Sequence, residues 1–567
     1  MRLESLRLIV CGLVLTSTAA VAQTPAEKAY ADVSPLRDKH SDVIWEGKPA
    51  DESELRQILA DLDKGLARLD EPLNRDLADG NRYLRYRRYN FLIDKAKVLL
   101  RLKDQPGALA ALHEMAQMDW NDPAGIDERK ADLRALIASP AAADLRAIYA
   151  RGQIRGFKSE YREELPANER LAGLSLIWST ARDGFAWFDH VPDLDWNQAY
   201  LDAIPRVLAA ADTAAYYREL MRFTALLQDG HSNAYPPKEL TAQFYSRPGL
   251  VTQHVDGRVL VTRIRDASLL TQGLQVGDQL LSIDGHAVDA YMAEYLAPFL
   301  SSSTPQDREV RGYSYGLLAG PADQPVRLKL QHANGQDYEI SAPRKGYTAT
   351  PGPASERFEL RPDGVAVLKA GQFENGAAAK LLNAHESELA TAKALILDLR
   401  DNGGGSSSNG YALLSRLTDQ PLQVSEQRIR GDNPYRRTDR SVIQWQQLGT
   451  STVSPSNGPH FKAPVALLIN AATFSAAEDT AAAFKWMKRG LIIGSASGGS
   501  TGQPLLLDLP GGGTARICVK RDSYPDGSDF VGVGVLPDIE VKPTVASVRD
   551  GSDPVLARAV KELLASH

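Results

Sequence analysis

The chain has 567 residues, of which 65 are basic and 71 acidic, so its formal net charge is −6. This length is too great for one hydrophobic core, and about three or four domains of roughly 100 to 200 residues are expected. No basic tract follows the pattern of a phosphate-binding surface, which argues against nucleic acid as a partner.

The N-terminus has the composition of an export signal. Arg2 and Arg7 precede an apolar run from Leu8 to Leu15, and Ala20-Val21-Ala22 supplies small residues for cleavage. The run is shorter than the roughly 20 residues that a membrane-spanning helix needs, so a cleaved signal peptide at 1–22 is favoured over a retained anchor. We therefore expect a periplasmic or secreted protein without stable membrane insertion.

Cysteine usage fits an exported protein without disulfides. Once 1–22 is removed, Cys518 is the only remaining cysteine, so no internal disulfide can form. No cluster of His, Cys, Asp or Glu has the spacing of a metal site, and the sequence implies neither a metal nor another cofactor.

Two stretches in the first half of the chain have helical periodicity. From about Glu52 to Ala150, apolar residues recur three and four positions apart, as in Leu55, Ile58, Leu59, Leu62 and Leu66. A second helical stretch, from about Leu171 to Leu227, leads into the sequence Asp229-Gly-His-Ser232. We predict a helical N-terminal domain at 23–165 and a helical cap region at 166–248.

The pattern changes between residues 249 and 345, where short apolar alternations are separated by Gly and Asp. Val259–Ile264 and Val326–Leu330 have the pattern of strands. The segment Gly273-Leu-Gln-Val-Gly-Asp-Gln-Leu-Leu-Ser-Ile-Asp-Gly285 resembles the glycine turn and strand of PDZ domains, which bind peptides by adding a strand to a sheet edge. We predict a PDZ-like domain at 249–345; the alternative is a spacer with no binding role.

Strands and helices alternate in the last part of the chain, at 346–567. Strands are predicted at Val365–Leu368, Ala394–Leu399 and Val465–Ile469, and helices at Ala377–Leu389 and from Ala476 through Phe484. This alternation predicts an α/β layer with a largely parallel sheet. The predicted fold class is multidomain α+β, with helical regions followed by a PDZ-like domain and an α/β core.

Ser475 is a candidate nucleophile. It follows the predicted strand Val465–Ile469 by a short turn and begins an Ala-rich helix. A serine at a helix N-terminus meets free backbone N–H groups and the positive end of the helix dipole, which favour a developing anion. Taken alone, the same position is that of an ordinary N-cap residue.

The run Gly403-Gly404-Gly405 is a candidate oxyanion cradle. It follows a predicted strand, and parallel strands place their C-terminal ends on one edge, so its N–H groups can lie beside Ser475. An oxyanion hole needs such fixed donors about 3 Å from the developing oxygen. Asp398, Arg400 and Asn402 are interpreted as a pairing network that holds this loop.

A serine nucleophile also needs a base, which is a histidine or a lysine with a lowered pKa. Lys485 lies ten residues from Ser475 on one predicted helix, about 15 Å away at 1.5 Å per residue, and cannot reach it. His231 lies in a Gly-containing turn, where a ring can project into a cleft, and its ordinary pKa suits a base. The alternative is a surface histidine.

Taken together, these segments resemble the tricorn-core and C-terminal processing peptidase family of serine proteases. The resemblance runs from about residue 171 to 545. Five segments carry it in the family's order: Leu227-Gln-Asp-Gly-His-Ser232, the PDZ-like Gly273 to Gly285, Asp398 to Gly405, Phe474-Ser-Ala-Ala-Glu478, and Gly532-Val-Gly-Val-Leu-Pro-Asp-Ile539.

The family has a lysine-base branch, with Gly-Lys-Gly about 25 residues after the serine, and a tricorn-like histidine-base branch. Here that region reads Ser497-Gly-Gly-Ser-Thr-Gly-Gln503, without lysine, and so resembles the histidine branch. The resemblance implies a ClpP/crotonase-like core, Ser475 as nucleophile and His231 as base. It also implies an oxyanion hole formed by the backbone N–H groups of Gly404 and Ala476.

The sequence departs from the tricorn-like pattern at Val531, where such members usually have a glutamate. Valine cannot orient a catalytic histidine, and loss of an orienting acid slows such sites by orders of magnitude. Asp529, Ser232 and Glu478 are the candidate supporting groups.

The predicted function is that of an exported serine endopeptidase acting on unfolded or C-terminally exposed polypeptides. Homo-oligomers are compatible with the family. The alternatives are a catalytically weak or silent protein that binds a peptide or ligand on the same fold, and a hydrolase of non-peptide acyl groups.

Overall fold

The structure is a computed structural model that describes residues 25–71, 74–75, 82–117, 131–152, 157, 159–346, 356–431 and 445–565. The chain divides into two compact units, 1–154 and 155–567. The predicted signal peptide at 1–22 lies outside the described residues. Within the described residues, no helix combines the length and apolar character needed to cross a membrane.

The first unit is helical. Its described helices are Pro25–Asp38, Ser41–Ile44, Glu52–Asp70, Arg82–Arg101, Gln105–Gln117, Ala131–Ala138 and Ala143–Gly152. Asp51 caps the third of these helices by accepting a hydrogen bond from the Glu54 N–H. The predicted apolar stripe faces the core of this unit, where Leu55, Ile58, Leu62 and Leu66 are buried, whereas Leu59 packs at its margin.

The second unit begins with three helices in the stretch where the sequence predicts a helical cap. They span Ala167–Gly184, Trp196–Leu208 and Thr213–Ala225. Asp195 and Asp212 cap the second and third of them through their carboxylates. Large side chains of these helices, including Trp196 and Phe223, share one hydrophobic core with the α/β region that follows.

A five-stranded sheet with its own hydrophobic core lies between residues 249 and 345. Its strands, in spatial order, are Leu250–Val255, Arg258–Ile264, Gln279–Ile283, Val326–Gln331 and Asp337–Ala342, and a two-residue strand at His286–Ala287 pairs with the third. Both strands predicted in this region are present. Its kinship with PDZ domains stays a prediction.

Helical segments complete this region and connect it to the rest of the second unit. They are Thr241–Phe244, Ala267–Leu270, Val288–Tyr291 and Pro305–Glu309, with π-helical turns at Met292–Leu296 and Val310–Gly316 and single 3-10 turns at Lys238–Leu240 and Ala297–Phe299. A further 3-10 turn, Phe188–His190, lies between the first two helices of the second unit. The segment from Thr304 to Gly316 packs next to the first strand of the sheet.

A six-stranded sheet forms the centre of the C-terminal region. Its spatial order is Ile539–Glu540, Leu491–Gly494, Val465–Ile469, Ala394–Asp398, Val365–Ala370 and Glu356–Leu360, and only the last strand is antiparallel to its neighbour. Apolar side chains cover both faces, as expected for a parallel sheet. The predicted α/β layer is therefore present.

The helices around this sheet are Ala377–Ala384, Glu386–Thr391, Ser407–Leu414, Ala476–Met487, Val545–Asp550 and Pro554–Ala565. The single helix expected at 377–389 is two helices, because the chain leaves helical geometry at His385. That ring stacks on Phe358 and bonds the Glu388 carboxylate, which fixes the break in place.

Two small antiparallel sheets connect distant parts of the second unit. One contains Asn233–Tyr235, Thr514–Cys518 and Pro504–Asp508, and the other contains Trp445–Val453, Leu422–Arg430 and Lys520–Ser523. The molecule is thus a mixed α/β protein with several sheets and many helices.

Candidate active site

Ser475 lies on a strained turn between the strand Val465–Ile469 and the helix Ala476–Met487. Its backbone has φ 57° and ψ −126°, a conformation that non-glycine residues rarely adopt. Such strain, of about 1–3 kcal/mol, persists only where the surroundings impose it and is common at functional sites. A sharp strand-to-helix turn of this kind presents a serine hydroxyl to a cleft.

The Ser475 hydroxyl meets His231, as the sequence predicts. Ser475 Oγ and His231 Nε2 are 3.0 Å apart although the two residues are 244 positions apart in the chain. This distance is within hydrogen-bond reach of a nucleophile and its base. Ser475 is also the N-cap residue of this helix and forms a capping box with Glu478, although its backbone lies outside the β region that N-cap residues usually adopt.

The His231 turn is fixed by pairing with the α/β region. The strand Asn233–Tyr235 pairs antiparallel with Thr514–Arg516, and the Gly230 carbonyl accepts hydrogen bonds from Arg516 and Arg311. These contacts hold both sides of the turn. His231 is therefore a fixed group and not a free surface histidine.

The imidazole of His231 is almost completely buried and stacks on Phe474, with ring centroids 4.7 Å apart and planes 12° apart. Burial, followed by the positive charges of Arg516, Arg311 and Lys520, lowers the pKa of His231 well below 6.5. The ring is consequently neutral at neutral pH, which is the state a general base requires.

The second ring nitrogen of His231 contacts Ser500, a residue that the sequence reading did not single out. His231 Nδ1 and Ser500 Oγ are 2.8 Å apart. Ser500 belongs to the segment Ser497–Gln503, whose lack of a lysine indicates a histidine base. Its position about 25 residues after Ser475, where the lysine-base branch has its lysine, is the sequence feature that could have indicated a role for Ser500.

Glu478, one of the predicted supporting residues, lies fully buried on the first turn of the Ser475 helix. Its carboxyl accepts hydrogen bonds from Ser497 Oγ, Gly499 N and Ser500 N at 2.6 to 2.8 Å, and a longer one from Ser475 N at 3.3 Å. Burial raises the pKa of Glu478 to about 8, while these hydrogen bonds oppose the rise.

The glycine loop lies against Ser475. Gly404 has φ 102°, and a β-carbon there would lie 2.7 Å from Ser475 Cβ and 3.0 Å from Ala476 N. Its own N–H donates to Asn402 Oδ1 at 2.9 Å, an internal partner that the sequence did not predict. The Ala476 N–H, in contrast, has no acceptor within the residues that the structure describes.

The pairing network predicted for this loop is present. Arg400 bonds both Asp398 and Asp553 through its guanidinium, and the Asn402 amide donates to the Ala370 carbonyl. The Asn402 carbonyl in turn accepts from the Phe474 N–H at 2.9 Å. The loop and the Ser475 turn are thus tied together by main-chain contact.

Two of the predicted supporting residues do not contact the imidazole ring. Asp529 pairs with Arg521, and the Ser232 hydroxyl donates to Asp229 at 2.6 Å and accepts from the Cys518 N–H. Val531 is buried in the hydrophobic core. Lys485, excluded as a base from sequence, donates instead to the Leu536 carbonyl.

A groove of about 1480 Å³ opens beside this site. It is lined by the edge strand Leu250–Val255, by aromatic residues including Tyr291, Phe299 and Tyr315, and by Ala472, three residues before Ser475. Arg311, which bonds the carbonyl next to His231, also lines it. The reacting pair lies next to the groove and not in its lining.

The charged side chains of the groove are mostly positive. Its basic residues are Arg218, Arg247, Arg263, Arg265, Arg311, Arg344, Lys345 and Lys542, and its acidic residues are Asp256, Asp284, Glu309, Asp401 and Glu540. Burial and the neighbouring guanidinium groups of Arg263 and Arg247 lower the pKa of Arg265, so three of these cations are crowded together.

The fold and this arrangement of hydroxyl, imidazole and glycine loop are those of a serine-type hydrolase. Comparison with known proteins shows which family of hydrolases the chain resembles. Residues 364–541 match the model of Peptidase family S41, and the chain is similar to peptidases named for C-terminal processing.

Two comparisons illustrate the similarity. The chain is 25% identical to the chloroplastic C-terminal processing peptidase of Tetradesmus obliquus, over 59% of this chain and 69% of that one. It is 24% identical to the chloroplastic carboxyl-terminal-processing peptidase 3 of Arabidopsis thaliana, over 64% and 67% of the respective chains.

Among solved structures, mature CPAF complexed with lactacystin has a similar fold. It superposes with a TM-score of 0.57 at 18% identity, covering 70% of this chain and 98% of the other. The fold of this chain is therefore similar to that of this solved structure over 70% of its length.

Proposed function

We propose that this protein is an exported serine endopeptidase that cleaves unfolded or C-terminally exposed polypeptides, with Ser475 as nucleophile and His231 as base. The observation that carries the proposal is the 3.0 Å contact between Ser475 Oγ and His231 Nε2 on a strained strand-to-helix turn. A neutral imidazole facing a hydroxyl takes its proton as the oxygen attacks a carbonyl carbon.

In this mechanism the peptide carbonyl carbon is attacked by Ser475 Oγ while His231 Nε2 receives the hydroxyl proton. The imidazolium then gives that proton to the leaving amine, which leaves an acyl-enzyme on Ser475. A water molecule, deprotonated by the same nitrogen, attacks the acyl carbon. The bond to Ser475 Oγ then breaks, the imidazolium returns its proton to that oxygen, and the new C-terminal carboxylate is released.

The oxyanion formed at each attack needs donors near Ser475. Among the described residues the Ala476 N–H has no acceptor, and it lies on the first turn of the helix, where the helix dipole also favours a negative charge. Gly404 is the second donor; its N–H exchanges Asn402 Oδ1 for the substrate oxygen when the substrate binds.

The groove supports a polypeptide as substrate. The strand Leu250–Val255 lies at the edge of its sheet and lines the groove, which is the position that strand addition of an extended chain requires. The excess of basic over acidic side chains in the groove complements a C-terminal carboxylate or acidic side chains. The predicted PDZ-like region supplies this strand.

Export is part of the proposal and rests on the N-terminal sequence. Arg2, Arg7 and the apolar run Leu8–Leu15 form the signal, and the printed names of related proteins place several of them in chloroplasts. The silent binding protein considered as an alternative is not favoured, because the relatives are named processing proteases.

The decisive experiment treats the mature chain with a fluorophosphonate probe and with an unfolded protein substrate, and compares Ser475→Ala and His231→Gln with wild type. Ser406→Ala serves as control, because this exposed hydroxyl contacts Ser408 and not His231. We expect labelling and cleavage by wild type and the control only. Full cleavage by Ser475→Ala would refute the proposal.

A further inference from the structure

We propose that Ser500 is the positioning residue that orients His231, and that the buried carboxyl of Glu478 holds Ser500 in place. The two residues would take the orienting role that the buried, apolar Val531 cannot fill. This inference rests on the proposed function of Ser475 and His231.

Two of the three polar groups of Ser500 contact Ser475 and His231, and the third contacts Glu478. Its hydroxyl lies 2.8 Å from His231 Nδ1, its carbonyl accepts from the Ser475 N–H at 3.1 Å, and its N–H donates to Glu478 Oε2 at 2.8 Å. One residue therefore fixes the nucleophile turn and the base relative to each other.

The contact with Ser500 selects one tautomer of the base. When Nε2 accepts the Ser475 proton its lone pair must face that hydroxyl, so Nδ1 carries the hydrogen and needs an acceptor. Ser500 Oγ is the acceptor in reach. A hydroxyl performs the orienting task but adds no negative charge beside the imidazolium that forms in the reaction.

Glu478 organises the loop that carries Ser500. Its two oxygens accept from Ser497 Oγ, Gly499 N and Ser500 N, so one carboxyl joins the Ser475 helix to three residues of the loop. The loop is held on its other side as well, because Ser497 Oγ accepts from the Val535 N–H at 2.6 Å. The carboxyl is an anchor and does not touch the ring.

Charged groups around the ring set the cost of forming an imidazolium. Arg516 and Arg311 donate to the Gly230 carbonyl, and Lys520 begins the strand Lys520–Ser523. The acids on the packed elements are engaged elsewhere: Asp229 accepts from Ser232 and Ser303, and Asp307 pairs with Arg311.

The test compares three variants of one loop. Ser500→Ala removes the acceptor, Ser500→Thr keeps a hydroxyl, and Thr501→Val removes the neighbouring buried hydroxyl, which bonds Asp479 and not His231. The readouts are the rate of fluorophosphonate reaction with Ser475 across pH, and kcat and KM separately for peptide cleavage.

We expect Ser500→Ala to lower the reaction rate and kcat by about 10- to 100-fold with KM within about 3-fold of wild type, the effect of losing one buried hydrogen bond. Thr501→Val and Ser500→Thr should stay within about 3-fold. Glu478→Gln should lower kcat as well, because an amide has one acceptor oxygen for donors that now use two.

Two results separate this inference from the proposed function. If Ser475→Ala abolishes labelling while Ser500→Ala matches wild type at every pH, the role of Ser500 is wrong and the peptidase assignment stands. If wild type shows no labelling, the peptidase assignment fails, and ¹⁵N NMR of His231, assigned by difference from His231→Gln, still tests the positioning. A Nδ1–H tautomer in wild type supports the inference; a Nε2–H tautomer overturns it.

Discussion

The Oγ of Ser475 and the Nε2 of His231 are 3.0 Å apart, although the two residues are separated by 244 positions. The contact is supported by a short strand after His231, which pairs with Thr514–Arg516 of a small antiparallel sheet and fixes the His231 turn. Folding of the whole second unit therefore assembles the reacting pair.

The pH dependence of activity should reflect a base with a lowered pKa. Burial and three nearby cations keep the pKa of His231 well below 6.5. Above that lowered pKa the ring is neutral and active, and acidification through it protonates the base. We expect kcat/KM, measured across pH, to be flat from neutral pH down to 6.5 and to fall only at more acidic values.

The same shift has a consequence for stability. Between the lowered pKa and about 6.5 the unfolded chain binds a proton at this histidine and the folded chain does not, so this contribution to stability rises with pH. His231→Gln removes this pH-dependent contribution to the free energy of unfolding. Comparing urea unfolding of wild type and His231→Gln at two pH values in this window tests it; equal pH slopes would contradict a lowered pKa.

Gly404→Ala should abolish most of the activity. At φ 102° a β-carbon is strained, and it would lie 2.7 Å from Ser475 Cβ, so the turn or the serine must move. We expect kcat/KM to fall by at least about 100-fold, the order seen when an oxyanion donor is lost. Gly403→Ala is the matched control, since its β-carbon would meet nothing within 4 Å.

Arg400→Ala should destabilise the second unit. The guanidinium bridges Asp398, which is nearly buried, and Asp553 on the approach to the last helix, so its removal leaves a buried carboxylate poorly paired. We expect a loss of about 3 kcal/mol in the free energy of unfolding, measured with urea. Arg357→Ala, which removes an exposed cation from the edge strand, should change stability by less than about 0.5 kcal/mol.

The groove should favour acidic chains. Within the part of the chain that the structure describes, the guanidinium groups of Arg263 and Arg265 make neither an ion pair nor a hydrogen bond, and both line the groove. Replacing both by Glu should raise KM about 10-fold for an unfolded acidic protein, with a smaller effect at high salt. Arg258→Glu, on the same strand outside the groove lining, is the control; an equal rise there would contradict the assignment.

Asp529→Asn should leave catalysis unchanged while weakening the fold. Asp529 pairs with Arg521, which is nearly buried and also pairs with Asp189. We expect a loss of about 2 kcal/mol in unfolding free energy and kcat/KM within about 3-fold of wild type. A large decrease in kcat with an unchanged free energy of unfolding would contradict this prediction and indicate a role for Asp529 in catalysis.

The sequence by itself predicted the local elements and the candidate pair of Ser475 and His231. Apolar periodicity gave the helices of the first unit and the strands Val465–Ile469 and Val326–Gln331, because backbone geometry and burial impose those periods locally. Ser475 and His231 were recognisable because each lies in a motif with its own chain context.

Only the tertiary structure decided what orients the base. The sequence offered Asp529, Ser232 and Glu478 as candidate supporting residues, but hydrogen bonds depend on distances across elements that no linear pattern encodes. In the folded chain Ser500 contacts His231 Nδ1, Glu478 accepts a hydrogen bond from the Ser500 N–H, and Asp529 pairs with Arg521. The physical reason is that a hydrogen bond of about 3 Å is fixed by the packing of whole strands and helices, not by the residues that form it.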